Sequence, residues 1–161
     1  MVLQNYWAWH KYIQTTVTSA VTLQGVKDMS GNTVTQLYGG SNQWRSNSIL
    51  NSLVALVFGT GTTAPTAEDY ALETDATASF VASLTTLVNY DSAKNEFIFS
   101  ATVTNTTADD IIISEIGVRK GIYSTTTNTP QNVLFAREVL QTPITVAAGE
   151  TKTINYVWTM Q

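Results

Sequence analysis

Strict alternation of apolar and polar residues, broken at short intervals by turn-forming residues, is the strongest constraint on this chain. In 96–104, Phe97, Phe99, Ala101 and Val103 fall on one face, and Ile98, Ser100 and Thr102 fall on the other. Side chains two apart share a face only in an extended strand, so this segment reads as a half-buried β-strand. Val17, Ser19, Val21 and Leu23 alternate in the same way with Thr16, Thr18, Ala20 and Thr22. So do Ile154, Tyr156 and Trp158 within 153–159, which places Trp158 in the core. Further strands are expected at 33–38, 78–90, 111–120 and 133–139. The apolar run 48–58 fits a helix or a buried strand, and its Val, Leu and Phe content and glycine stop favour the strand.

Turn residues separate these segments: KDMSGNT (27–33), GGSNQ (39–43), DSAKN (91–95), TNTTADD (104–110) and VAAGETK (146–152). GIYSTTTNTPQN (121–132) is too long and polar for a tight hairpin and is expected to be a surface loop. About eight strands with turn signals roughly 8–12 residues apart predict an all-β protein, an antiparallel β-sandwich of jelly-roll type. Composition agrees. Only 12% of residues are charged, yet 43% are hydrophobic, which is too apolar for disorder. Thr, Ser and Asn carry the polar balance, and β-branched Thr suits a pleated sheet better than a helix.

The same totals narrow the function. The net charge is −4 and the eight basic residues are scattered, so there is no basic stripe to neutralise phosphates and no nucleic-acid partner is expected. The absence of cysteine removes disulfides, thiolate metal sites and thiol nucleophiles. No apolar run is long enough to predict a membrane span, and the N-terminus lacks the basic start of a secretory signal. The chain is read as one domain, 15–161, preceded by a segment 1–14. In that segment Val2, Tyr6, Trp9 and Ile13 would share a helix face, whereas Leu3, Trp7 and Trp9 would share a strand face. We read it as a short helix or an arm.

GTGTTAPTAEDYALETD (59–75) is the place to look for chemistry. A phosphate loop needs G-x-x-x-x-G-K-[ST], and no lysine follows Gly59 and Gly61. A dinucleotide fingerprint needs a third glycine opening a helix; Ala64 holds that place, and Pro65 biases it away from helix. The glycines are read instead as a sharp exit from a buried strand. Glu68, Asp69, Glu73 and Asp75 suggest a cation site, but Thr66 is a good N-cap and Thr66–Asp69 has capping-box spacing. The expectation is therefore a short capped helix after residue 65, with Tyr70 and Leu72 facing inward and no metal. His10 is the only histidine, with no G-x-S-x-G elbow to make a triad. No catalytic residue and no cofactor are expected.

Aromatic residues supply the candidate contacts. Tyr6, Trp7, Trp9 and Tyr12 form a cluster at the chain end that would dock against a partner subunit. Trp44, in the polar loop SNQWRSN, and Tyr123 would be exposed and suited to the face of a sugar.

VFGTGTTAPTAEDYALE (57–73), SEIGV (114–118) and VLFAREVLQTPITVAAGETKTINYVWTM (133–160), in that order, resemble the C-terminal portion of many bacteriophage virion proteins. These are short tail, baseplate or fibre-type subunits, and capsid-accessory proteins share the type. The resemblance runs from near residue 50 to the end. It implies a non-enzymatic virion subunit, β-rich and often trimeric, that docks to neighbouring virion proteins. The alternative that the resemblance leaves open is a module of the particle that binds a host-surface glycan or receptor.

Overall fold

The computed structural model describes residues 26–34, 54–123 and 130–159. They form six strands: β1 (Val54–Gly59), β2 (Phe80–Asp91), β3 (Glu96–Asn105), β4 (Ile111–Tyr123), β5 (Pro130–Val146) and β6 (Thr151–Thr159). These make two antiparallel three-stranded sheets, ordered β1-β4-β5 and β2-β3-β6. The protein is therefore all-β, as its alternation requires. The expected strand at 15–23, residues 35–38 of the one expected at 33–38, the segment 1–14 and Trp44 lie outside the described residues.

One apolar cluster lies between the sheets. Leu56 and Phe58 of β1, Ile116 and Val118 of β4 and Ala136 of β5 meet Phe99 and Val103 of β3 and Ile154 and Tyr156 of β6. Phe58 meets Phe80 edge-on at 5.8 Å, and Phe99 lies 4.7 Å from the half-buried Trp158. Burying a side chain of this size contributes about 1.5–3 kcal/mol, so this cluster dominates the stability. A second, smaller cluster of Val57, Leu72 and Leu134, with Met29 against it, covers the other face of the β1-β4-β5 sheet. All six residues of β1 are consequently buried, which explains an apolar run with no polar face.

Turns fall where Gly, Asn and Asp place them. Asp28 accepts hydrogen bonds from the backbone N–H of Ser30 and of Asn32, and Gly31 takes φ +83° between bridged Lys27 and Thr33. The fully buried Asn105 donates to the carbonyls of Asp109 and Val146 and accepts from Thr107, tying the β3–β4 turn to the end of β5.

Three expectations are corrected. No helix follows Pro65: among the described residues the nearest helical turn is a 3-10 turn at Thr77–Ser79. β5 does not stop at 139 but runs to Val146 through Pro143, tolerated because β5 lies at the edge of its described sheet. The loop expected at 121–132 is shorter, because Gly121–Tyr123 and Pro130–Asn132 pair as strand.

Candidate functional site

Residues 60–74 leave β1 and return to it, making a compact Ω-type loop whose neck is closed by backbone contacts. Thr60 N–H donates to the Thr74 carbonyl at 3.0 Å, Gly59 bridges Asp75, and Ala76 N–H donates to the Phe58 carbonyl at 2.9 Å. The loop lies over the face of the β1-β4-β5 sheet that points away from the main core. On that face β4 contributes Glu115 and β5 contributes Arg137. Glu115 pairs with Val139, and Arg137 with Gly117, so the two charges are diagonal neighbours on adjacent strands.

Glu115 is 0% exposed, and Arg137 is 3% exposed. Isolated charges at that depth would be strongly unfavourable, so their partners define the site. The Arg137 Nε donates to Glu115 Oε2 at 2.7 Å, Nη1 to Asp69 Oδ2 at 2.6 Å, and Nη2 to the Thr63 carbonyl at 3.1 Å. Glu73 lies 3.6 Å from Nη2. Glu115 Oε1 accepts from Gly61 N–H at 3.1 Å and Thr74 N–H at 2.9 Å, and Oε2 accepts from Glu73 N–H at 3.1 Å. The Glu73 carboxylate takes the N–H groups of Thr62 and Thr63, both at 2.8 Å, and the Thr63 hydroxyl at 2.7 Å.

The loop thus resembles a phosphate cradle in one respect: its backbone N–H groups converge on anions. Those anions are the protein's own. One guanidinium faces the carboxylates of Asp69, Glu73 and Glu115, and six backbone N–H groups (of Gly61, Thr62, Thr63, Thr66, Glu73 and Thr74) bond to the same carboxylates. Burial disfavours the charge on Arg137, but Glu115 and Asp69 outweigh it and hold the guanidinium above its ordinary pKa. Burial likewise opposes charge on Asp69, yet Thr66 and Arg137 hold its carboxyl below the usual range. Glu73 is held low chiefly by its bonds to Thr63.

The glycines fit this packing. A Cβ on Gly61 would lie 2.6 Å from Glu115 Oε1 and from the Glu73 side chain, and one on Gly59 would lie 2.6 Å from the Thr74 carbonyl. Neither has positive φ, so it is the close approach of the carboxylates that demands glycine. The same contacts explain the missing helix. Asp69 does accept the Thr66 N–H at 3.0 Å and the Thr66 hydroxyl at 2.8 Å, so the capping signal is real locally. The chain then spends the N–H groups of Glu73 and Thr74 on Glu115 instead of on a helix ladder. Leu72 points inward as expected, but Tyr70 is 38% exposed and lies against Gly31 with Lys27 Nζ 5.1 Å from its ring centroid.

Asp69, expected as a helix-capping acid, and Glu73, weighed only as a member of the acidic cluster, are thus brought together with Glu115 and Arg137, which sequence reasoning did not single out. The signal was faint: Glu115 and Arg137 have opposite sign and each follows an apolar run, but β4 also carries Arg119 and Lys120, and β5 also carries Glu138. Tyr123 ends β4, opposite Pro130. Tyr6, Trp7, Trp9, Tyr12 and Trp44 lie outside the described residues. Among the described residues no group of three or more His, Cys, Asp or Glu is placed to hold a metal ion. No family model matches the chain, and neither the curated proteins nor the solved structures give a match.

Proposed function

We propose that this chain is a non-enzymatic structural subunit of a bacteriophage particle, built on a β-sandwich, assembling as a homo-oligomer and docking to neighbouring virion proteins. One observation carries the reading. Three of the four sequence marks of the resemblance, the GTGTTAP turn, the EIG strand and the L-x-AR strand, meet in a single ion-paired knot, while the fourth, the closing AGET hairpin, takes no part in it. Gly61 and Thr63 come from the first, Glu115 from the second and Arg137 from the third. Their charges are turned on one another and on the backbone, an arrangement that locks a loop to a sheet. Motif residues spent on rigidity suit a part whose work is mechanical.

In this reading Tyr6, Trp7, Trp9 and Tyr12 form the docking segment, and the trimer implied by the resemblance is the expected assembly. The experiment is to label purified particles with an antibody against the chain and to compare full-length protein with one lacking residues 1–14. The full chain should decorate particles, and the truncated one should fold and stay free. Full chain absent from particles would overturn the virion assignment; normal incorporation of the truncated chain would overturn the docking role alone.

A further inference from the structure

We propose that the outer face of the β3–β6 pair packs against the same face of neighbouring copies of this chain, about a rotation axis. The inference rests on the homo-oligomer reading above and assigns its surface. Since Phe99, Ala101, Val103, Ile154 and Tyr156 point into the core, the alternate residues of both strands point out. Register sets them in rows: Glu96 with Thr159, Ile98 with Val157, Ser100 with Asn155, Thr102 with Thr153, and Thr104 with Thr151.

Charge is the first peculiarity of this face. Of the ten outward positions only Glu96, in the end row, is charged, although the chain carries a net charge of −4. Lys152 lies on the inward side of β6 and donates to the Thr145 carbonyl at 2.6 Å. Solvated sheet faces ordinarily carry charges that keep copies apart. At a rotation axis every charge meets its own image, so an uncharged face is what an axis requires. A basic or acidic partner would instead ask for the opposite sign.

Desolvation is the second. The polar groups are already paired sideways: Ser100 donates to Asn155 at 2.6 Å, while the Thr102–Thr153 and Thr104–Thr151 hydroxyls meet at 2.9 and 2.7 Å. Polar groups partly satisfied within one chain cost less to cover than unpaired ones. Val157, 44% exposed, adds apolar surface beside Ile98.

The test uses sedimentation velocity on the full chain across a concentration series. It compares wild type with the double variant Thr102→Lys, Thr153→Lys and with Ala93→Lys, a charge added in the β2–β3 turn. Thermal unfolding checks that each variant is folded. Because the chain has no cysteine, Thr153→Cys treated with a short bis-maleimide reports proximity directly, with Ala93→Cys as its control. The expected result is an oligomer for wild type and Ala93→Lys. The double variant should be folded and monomeric, its dissociation constant raised roughly 100-fold or more, and only Thr153→Cys should cross-link. Oligomers that survive the double substitution would overturn this face and leave the homo-oligomer reading standing. A wild type that is monomeric throughout would overturn both. Glycan binding by the monomer, abolished in the double variant, would reassign the face to a sugar.

Discussion

Replacing Glu115 by alanine tests the knot most directly. The substitution removes the acceptor for Arg137 Nε at 2.7 Å and for the N–H groups of Gly61, Glu73 and Thr74 at 2.9–3.1 Å. Arg137 keeps Asp69 and the Thr63 carbonyl, so its charge is only partly abandoned. Breaking a buried pair from one side costs about 3–5 kcal/mol, and each orphaned donor costs about 1–3 kcal/mol unless water reaches it. With water partly filling the vacated volume, we expect a net loss of about 4 kcal/mol. That is a large part of the roughly 5–15 kcal/mol available to a domain, so the variant should fold but melt early. The vacated site would be an anion hole of three N–H groups and a guanidinium, matched to a small carboxylate. If acetate binds there with a dissociation constant of about 10 mM, 100 mM acetate returns about 1.4 kcal/mol relative to chloride at equal ionic strength. Urea titration followed by far-UV circular dichroism measures both quantities. A loss under about 1 kcal/mol, or equal stability in acetate and chloride, would refute the geometry proposed for this carboxylate.

Gly61→Ala should cost about 1–3 kcal/mol, because its Cβ would collide with Glu115 and Glu73. Gly149→Ala, with open space around it but φ +73°, should cost only about 1 kcal/mol; denaturant midpoints of the two variants check the order. Stability should be level at neutral pH and fall in acid. Asp69 and Glu73 have folded pKa values below their unfolded ones, so their contribution is complete above the unfolded carboxyl range and drains as pH falls through the folded values. Wild type should therefore lose stability below about pH 4 more steeply than Asp69→Asn, and unfolding midpoints across pH 2–7 on the two proteins read this out.

Much of the fold is legible in the sequence, for physical reasons that differ by element. β3 and β6 alternate because one face packs on the core and the other meets solvent, so period two marks them almost to the residue. β1 is covered on both faces, which erases the alternation and leaves only its apolar run and glycine stop as clues. β5 runs past the expected end at 139 through Pro143, a residue that reads as a strand breaker unless its edge position is known. The loop 60–74 was misread for another reason. Thr66 and Asp69 carry a genuine local helix signal, but the partners that override it lie on β4 and β5, and a local pattern holds no record of them. Glu115 and Arg137 leave little trace of their own, because Arg119 and Lys120 in β4 and Glu138 in β5 look no different in the sequence.

The sequence distances inside the knot have a kinetic consequence. Glu115 reaches Gly61 across 54 positions, and Arg137 reaches Asp69 across 68. Contacts between such distant segments require that the strands carrying them already be aligned, so we expect the knot to close after the barrier to folding has been crossed. Interactions made beyond that barrier slow the return journey and leave the forward one unchanged. Arg137→Met should therefore quicken unfolding in stopped-flow denaturant jumps while refolding keeps its rate; an equal slowing of refolding would place the knot in the folding nucleus instead. A fastening of this kind sets how long the folded structure holds rather than how fast it forms.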